Sequence, residues 1–225
     1  MSFSAELRSR TATAWDAAVA HRFVEELWRG AVEPSVLRTY FVQDNQFLDA
    51  FVALLGAAVA GADRAEPRIV LARQLGLIAG PENDFFTRTL DALDVAPADR
   101  ATPPLAGATR GFLELMDSAR AGADYSTCLA VLLVAEWLYL DWADRPGADA
   151  PHAPIPGEWI DLHRGPAFAT WVRFLRSEFD RVTADLDDTA RERVAAVFTR
   201  AVVLELEFFD AAYESPGSAS RHRHP

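Results

Sequence analysis

The sequence predicts an all-α fold: a compact single-domain bundle of about eight helices. Three observations carry this. Nearly every segment repeats its apolar residues at steps of three and four, and no run alternates as a strand would. Residues 128–140 read CLAVLLVAEWLYL, twelve of thirteen apolar or aromatic, as expected of a helix buried nearly all round. At 225 residues, half of them hydrophobic, the chain is long enough to close one large core.

Taken in order, residues 4–18 form a first amphipathic helix with Leu7 and Trp15 facing in, and residues 21–29 a short one ended by Gly30. A long helix opens at Glu33-Pro34-Ser35, where proline is tolerated in the first turn, and runs to about Gly61. Another long stretch starts at Pro67 and reaches Leu93. Gly80-Pro81 should kink or break it, because proline removes a backbone donor and crowds the preceding turn. Residues 94–108, with three prolines, read as a connection. Helices follow at 109–120 and from Gly122 to about Asp144, the latter containing the apolar stretch. Residues 145–157 are a loop and 159–163 one helical turn. Gly165-Pro166 opens a helix to about Leu186, and a last amphipathic helix covers 189–214. The domain therefore spans residues 1–214, and the tail 215–225 (SPGSASRHRHP) has the composition of a disordered segment.

A net charge of −11 argues against nucleic acid or an anionic membrane surface as the partner. No uncharged apolar run reaches the roughly 20 residues of a membrane span, and no signal-like N-terminus is present, so a cytoplasmic location is expected. The single cysteine, Cys128, allows no internal disulfide and no multi-cysteine metal site, and on an apolar helix reads as inert packing.

Three helices carry an acid where packing alone would ask for leucine. On the last helix Val194, Phe198, Ala201, Glu205, Phe208 and Ala212 share one face, whereas Glu207 points away. On the third, Asp44 interrupts Leu37, Phe41, Phe47 or Leu48, Phe51 and Leu55; on the apolar helix, Glu136 falls among Leu129, Leu132 or Leu133 and Tyr139. Each acid alone reads most simply as an edge residue or the partner of an arginine such as Arg73, Arg88 or Arg110. Three together predict a shared polar pocket inside the bundle, because close carboxylates cannot all be ionised without something between them. Glu82 lies on a comparable seam, or is a first-turn acid favoured by the helix dipole beside Pro81. Aromatic residues near the acids, Phe47, Phe51, Phe112, Trp137, Tyr139 and Phe208, would form an apolar slot suited to a planar, basic heterocycle.

Several sites are missing from the pattern. None of the five histidines follows a glutamate by three on a core helix, so no metal centre is expected, and only His21 stands near a helix start as a conceivable haem ligand. Phosphate-loop, dinucleotide and serine-hydrolase motifs do not occur, and no cofactor is expected.

Residues 40–51 (YFVQDNQFLDAF) resemble the Tyr-x-x-Gln-Asp-x-x-(Tyr/Phe)-Leu signature of the TenA family, part of the TenA/PqqC superfamily with a haem-oxygenase-like fold. Residues 21–30 (HRFVEELWRG) resemble its His-Pro-Phe-Val lead-in, with Arg22 in place of proline. Residues 132–139 (LLVAEWLY) resemble Leu-Leu-Pro-Cys-x-Trp-x-Tyr, and WIDLH at 159–163 and ELEFF at 205–209 resemble two further segments. Ala135 stands where the classical branch has a nucleophilic cysteine, and Glu136 follows it; with His163 in place of a usual tyrosine, the chain resembles the Cys-lacking, E-type branch. The resemblance implies a homo-oligomeric thiamin-salvage hydrolase acting on aminomethyl- or N-formylaminomethyl-pyrimidine compounds. Glu136 would be the base activating water, Glu205 would orient that water, Asp44 would hold the ring amine, and His163 would assist the leaving group. The alternative is a non-catalytic or regulatory bundle that binds a small molecule in the same pocket.

Overall fold

The apolar stretch forms the middle of helix α10 (Tyr125–Ala143), and the other helices are arranged around it. The computed structural model describes residues 2–122 and 124–214, so the tail expected to be disordered lies outside the described residues. Within them the chain is helical with no strand: α1 (Phe3–Arg10), α2 (Ala12–Val19), α3 (Arg22–Trp28), α4 (Pro34–Asp44), α5 (Phe47–Gly61), α6 (Ala65–Leu77), a π-helical segment (Ile78–Glu82), α7 (Asn83–Ala92), α8 (Pro97–Ala101), α9 (Gly107–Ala121), α10, α11 (Pro154–Leu162), α12 (Gly165–Thr183) and α13 (Asp188–Ala211). Leu129 to Val134 on α10 are buried without exception, because α2, α5, α9, α12 and α13 all pack against this helix. By length and composition α10 could cross a membrane, but the bundle already buries 78% of it.

The helices outnumber the eight expected because local side-chain chemistry cuts the long ones. Thr11 ends α1: its hydroxyl donates to the Leu7 carbonyl at 2.9 Å, a back-bond that bends helices. Gln46 separates α4 from α5, its amide donating to the carbonyls of Val42 (3.2 Å) and Arg100 (2.9 Å). The expected break at Gly80-Pro81 takes another form. The chain stays helical there and widens into a π turn, which accommodates a residue without an N–H. Pro97 and Pro154 start helices rather than loops, each at a first-turn position, so α8 and the first turn of α11 replace segments expected to be irregular. Gly165, at φ +86°, then turns the chain from α11 into α12, a conformation that L side chains rarely adopt.

Candidate functional site

The three seam acids converge. Asp44 at the end of α4, Glu136 on α10 and Glu205 on α13 line one internal cavity of about 350 Å³, and Glu82 from the π-helical segment joins them. Phe47 and Phe51 from α5, Phe112 from α9, Tyr139 from α10 and His163 at the end of α11 complete the predicted part of its wall. Glu207 is exposed, as its place on the helix implies.

None of the candidate arginines neutralises these acids. Arg88 pairs with Glu158, Arg110 donates to the Leu105 carbonyl at 2.5 Å, and Arg73 is exposed. Glu178 on α12 shows the opposite case. It is equally buried (4% exposed), yet Arg64 and Arg181 bridge to it and Tyr125 donates to it at 3.1 Å. Burial works against its charge, but Arg181 and Tyr125 outweigh burial and hold its pKa below the usual value.

The cavity acids have no such help. Burial raises the pKa of Glu136 to about 8, with the nearby Glu82 adding to the rise, and raises Glu82 to about 7. Asp44 is held well above the carboxylate range by burial and by Glu82, eased slightly by the Tyr40 hydroxyl; one of its oxygens, Oδ2, is buried without a partner. Glu205 is raised well above its range by burial and by Asp44. The four groups thus form a chain of mutual repulsion, in which burial and neighbouring acids all favour the protonated forms. A cation or a donor-rich ring entering among them would draw their protons off.

Tyr139 and Tyr40 share a hydrogen bond between their hydroxyls at 2.8 Å, which fixes the Tyr139 ring edge-on to Trp142 and Trp159. The His163 ring lies 4.3 Å from Trp159 and 4.8 Å from Tyr139, and its Nδ1 is 2.8 Å from the Trp159 carbonyl. A carbonyl can only accept, so Nδ1 carries the proton and Nε2 keeps a lone pair. Burial lowers the His163 pKa to about 4, the hydrogen bond to Trp159 working the other way. At neutral pH His163 is therefore neutral and offers the cavity a hydrogen-bond acceptor at Nε2.

Two expected ring contacts lie elsewhere. Trp137, next to Glu136 in sequence, points to the far side of α10, where Trp15 meets it edge-on at 5.1 Å and Arg176 covers it at 4.0 Å. Phe208 sits behind the wall, 5.0 Å from Phe47 and 5.2 Å from Tyr40. The cavity also uses residues that the sequence reading did not single out: Trp159 from α11 and Phe168 and Trp171 from α12. Trp171 shares the apolar seam of α12 with Phe168, Leu175 and Phe179, and an apolar residue on an apolar seam gives no signal. Ala135 lines the cavity, whereas Cys128 is buried against the Ala119 carbonyl two turns away, its thiol pushed up to about 11 by burial. Among the described residues no group of three or more His, Cys, Asp or Glu side chains is placed to hold a metal ion.

The sequence profile of the TENA/THI-4/PQQC family matches residues 8–215. Two similar proteins are aminopyrimidine aminohydrolases. That of Halalkalibacterium halodurans is 23% identical over 217 residues, covering 95% of this chain and 96% of its own. That of Bacillus subtilis is 24% identical over 219 residues, covering 96% and 92%. The crystal structure of a TenA family transcription regulator from Silicibacter sp. TM1040 superposes with a TM-score of 0.82 at 20% identity, over 94% of this chain and 97% of that one. A Shewanella denitrificans domain of unknown function with a haem-oxygenase-like fold superposes at 0.58 and 15% identity, over 93% and 91% of the two chains. The fold is accordingly haem-oxygenase-like.

Proposed function

The chain belongs to the TENA/THI-4/PQQC family, and on that premise we propose that it is a thiamin-salvage aminopyrimidine hydrolase of the branch that works without a nucleophilic cysteine. The observation that carries this is the pairing of Ala135 with Glu136 in the cavity wall, while the chain's one thiol lies outside it. Water is then the nucleophile. At about 350 Å³ the cavity is near the small end of ligand sites, which run from roughly 300 Å³ upwards, and fits a single-ring heterocycle.

In this reading the pyrimidine lies among Phe47, Phe51, Phe112 and Tyr139, with its exocyclic amine or protonated ring nitrogen on Asp44. Glu136, once ionised, takes a proton from a water oriented by Glu205. With an aminomethylpyrimidine, the water oxygen bonds to the side-chain methylene as the C–N bond breaks. The departing nitrogen leaves as ammonia, directly where the amine is already an ammonium and with a proton from Glu82, whose pKa of about 7 suits it to give one, where the amine is neutral. With an N-formylaminomethyl compound the water adds to the formyl carbon, Glu82 gives a proton to the nitrogen, and the C–N bond breaks to give formic acid and the free amine. His163 accepts a hydrogen bond through Nε2 and steadies the water or the amine.

The test is a panel of both compound types with products identified by mass spectrometry. Ammonia with hydroxymethylpyrimidine, or formate with the amine, is expected. Tight binding with no product would replace this reading with that of a ligand-binding bundle. Glu136→Gln should lower kcat about 10²–10⁴-fold, the usual effect of removing a positioned base, and near-normal turnover would show that Glu136 is not the base.

A further inference from the structure

Two indole N–H groups in the cavity wall, those of Trp159 and Trp171, have no hydrogen-bond partner and are sealed from solvent. A buried donor without an acceptor is costly enough that each such group calls for an explanation. Trp171 lies on α12, which packs along α10, and it shares the cavity wall with Glu136. Its ring stacks on Phe174, with centroids 5.6 Å apart and planes 19° from parallel. The N–H is covered, so a ligand in the cavity would not reach it without displacing the ring. It lies near Glu136 and favours that group's ionised form, short of a well-formed hydrogen bond.

We propose that Trp171 is a positioning residue, whose indole N–H closes onto the Glu136 carboxylate when that group loses its proton and so holds the base in one orientation. This rests on Glu136 being the base of the proposed hydrolysis. The other uncharged donors in the cavity wall are the Trp159 indole, which lies beside Tyr40, the Tyr139 hydroxyl, which is bonded to Tyr40, and the Gln74 amide from α6. Glu82 from the π-helical segment, Asp44 from α4 and Glu205 from α13 are acids. His163 is neutral, and Arg164 is engaged by Asp161 and the Ala148 carbonyl. From α5 and α9 only apolar side chains reach the cavity, Phe47 and Met116 among them. Arg176 and Trp15 lie on the opposite side of α10, against Trp137. A neutral carboxylic acid needs little from the indole, whereas a carboxylate forms a stronger, charge-assisted bond to it.

The six tryptophan indole signals in a proton–nitrogen correlation spectrum of the whole chain provide the test, with the Trp171 signal assigned by its loss in Trp171→Phe. That signal should move downfield with a midpoint near pH 8, in step with Glu136. The movement should vanish in Glu136→Gln and persist in Glu82→Gln. A Trp171 signal that stays still, or moves equally in Glu136→Gln, overturns the proposal. In Trp171→Phe, the limb of the pH–rate profile that reports the base should rise by about one unit and kcat at neutral pH fall about tenfold, with KM unchanged. The same substitution should cost nothing further in a Glu136→Gln background. A loss of rate with the limb unmoved would mean that Trp171 only packs, and would overturn the positioning role. A titrating Trp171 signal in a protein that turns over none of the pyrimidines supports the pairing and overturns the hydrolase reading instead.

Discussion

Glu136 is protonated in the folded protein over a pH range in which it is ionised in the unfolded chain, so folding takes up a proton. Its pKa of about 8, against an ordinary 4.5, means that the folded state binds more protons between those values, and stability falls as pH rises through the window. Glu82, at about 7, acts in the same direction over a narrower range, and Asp44 and Glu205 add to it. His163 works the other way. Neutral in the fold down to about pH 4 and protonated below 6.5 when unfolded, it makes stability rise with pH between those values. Above about 6.5 only the carboxyl groups still act, so urea-unfolding free energies should decline from pH 6.5 to 8. Glu136→Gln should remove about 2 kcal/mol of that decline, since each pH unit of differential protonation is worth about 1.4 kcal/mol. An unchanged slope would mean that Glu136 ionises freely in the fold. A substitution that abolishes turnover while stabilising the protein at pH 8 is the behaviour of a group kept for its chemistry. At this scale the acids were legible in the sequence because a charge interrupting an apolar seam contradicts packing. Trp137 and Phe208 were misplaced because nearness to an acid along a helix does not give direction: one residue's step is about 100°, enough to carry Trp137 to the far side of α10.

The site depends on where helices begin as much as on their faces. α10 starts at Asp124, whose Oδ1 accepts from the Ser126 N–H (3.0 Å) and hydroxyl (2.7 Å) and whose Oδ2 accepts from the Thr127 hydroxyl (2.8 Å). Asp124→Ala should cost about 1 kcal/mol, the usual price of an N-cap, lowering Tm with kcat/KM preserved, because Glu136 and Tyr139 lie three turns or more further on. α11 is less forgiving. A Cβ on Gly157 would come 2.5 Å from the Pro151 carbonyl oxygen, a backbone atom with no room to yield. Gly157→Ala should therefore destabilise by about 1–3 kcal/mol and also reduce kcat/KM, because α11 carries Trp159 and His163 into the cavity. Loss of stability with full activity would show that α11 can shift without disturbing the site. Helix existence was readable from periodicity; helix boundaries were not. Thr11 and Gln46 interrupt helices through hydrogen bonds to carbonyls that a linear pattern does not display, and the π turn at Ile78–Glu82 lets a Gly-Pro pair continue a helix. That turn also places Glu82, the residue before α7, at the cavity wall.

Across the whole molecule charge and cavity reinforce each other. The sequence has no lysine, and many of its arginines are spent in ion pairs: Arg181 bridges Asp63 and Glu178, and Arg145 reaches Glu25. Local pairing leaves the net charge of −11 uncompensated, and four of the acids that contribute to it lie in a low-dielectric cavity whose lining includes a single arginine, itself held by Asp161. The all-α architecture and the internal pocket were both legible in the sequence, because they follow from period and from the number of misplaced acids. The identity of the far wall was not, since it depends on how α12 crosses α10. Such a field attracts cations and is indifferent to neutral molecules. An aminomethylpyrimidine carries an ammonium group at neutral pH, whereas its N-formyl derivative carries none. Raising salt shortens the screening length from about 30 Å at 0.01 M to about 8 Å at 0.15 M. The kcat/KM of the ammonium compound should therefore fall several-fold over that interval, mainly through KM, while that of the formyl compound holds steady. Equal sensitivity of the two substrates would assign the salt effect to the fold rather than to attraction, and no sensitivity in either would mean that the cavity acids stay neutral throughout binding.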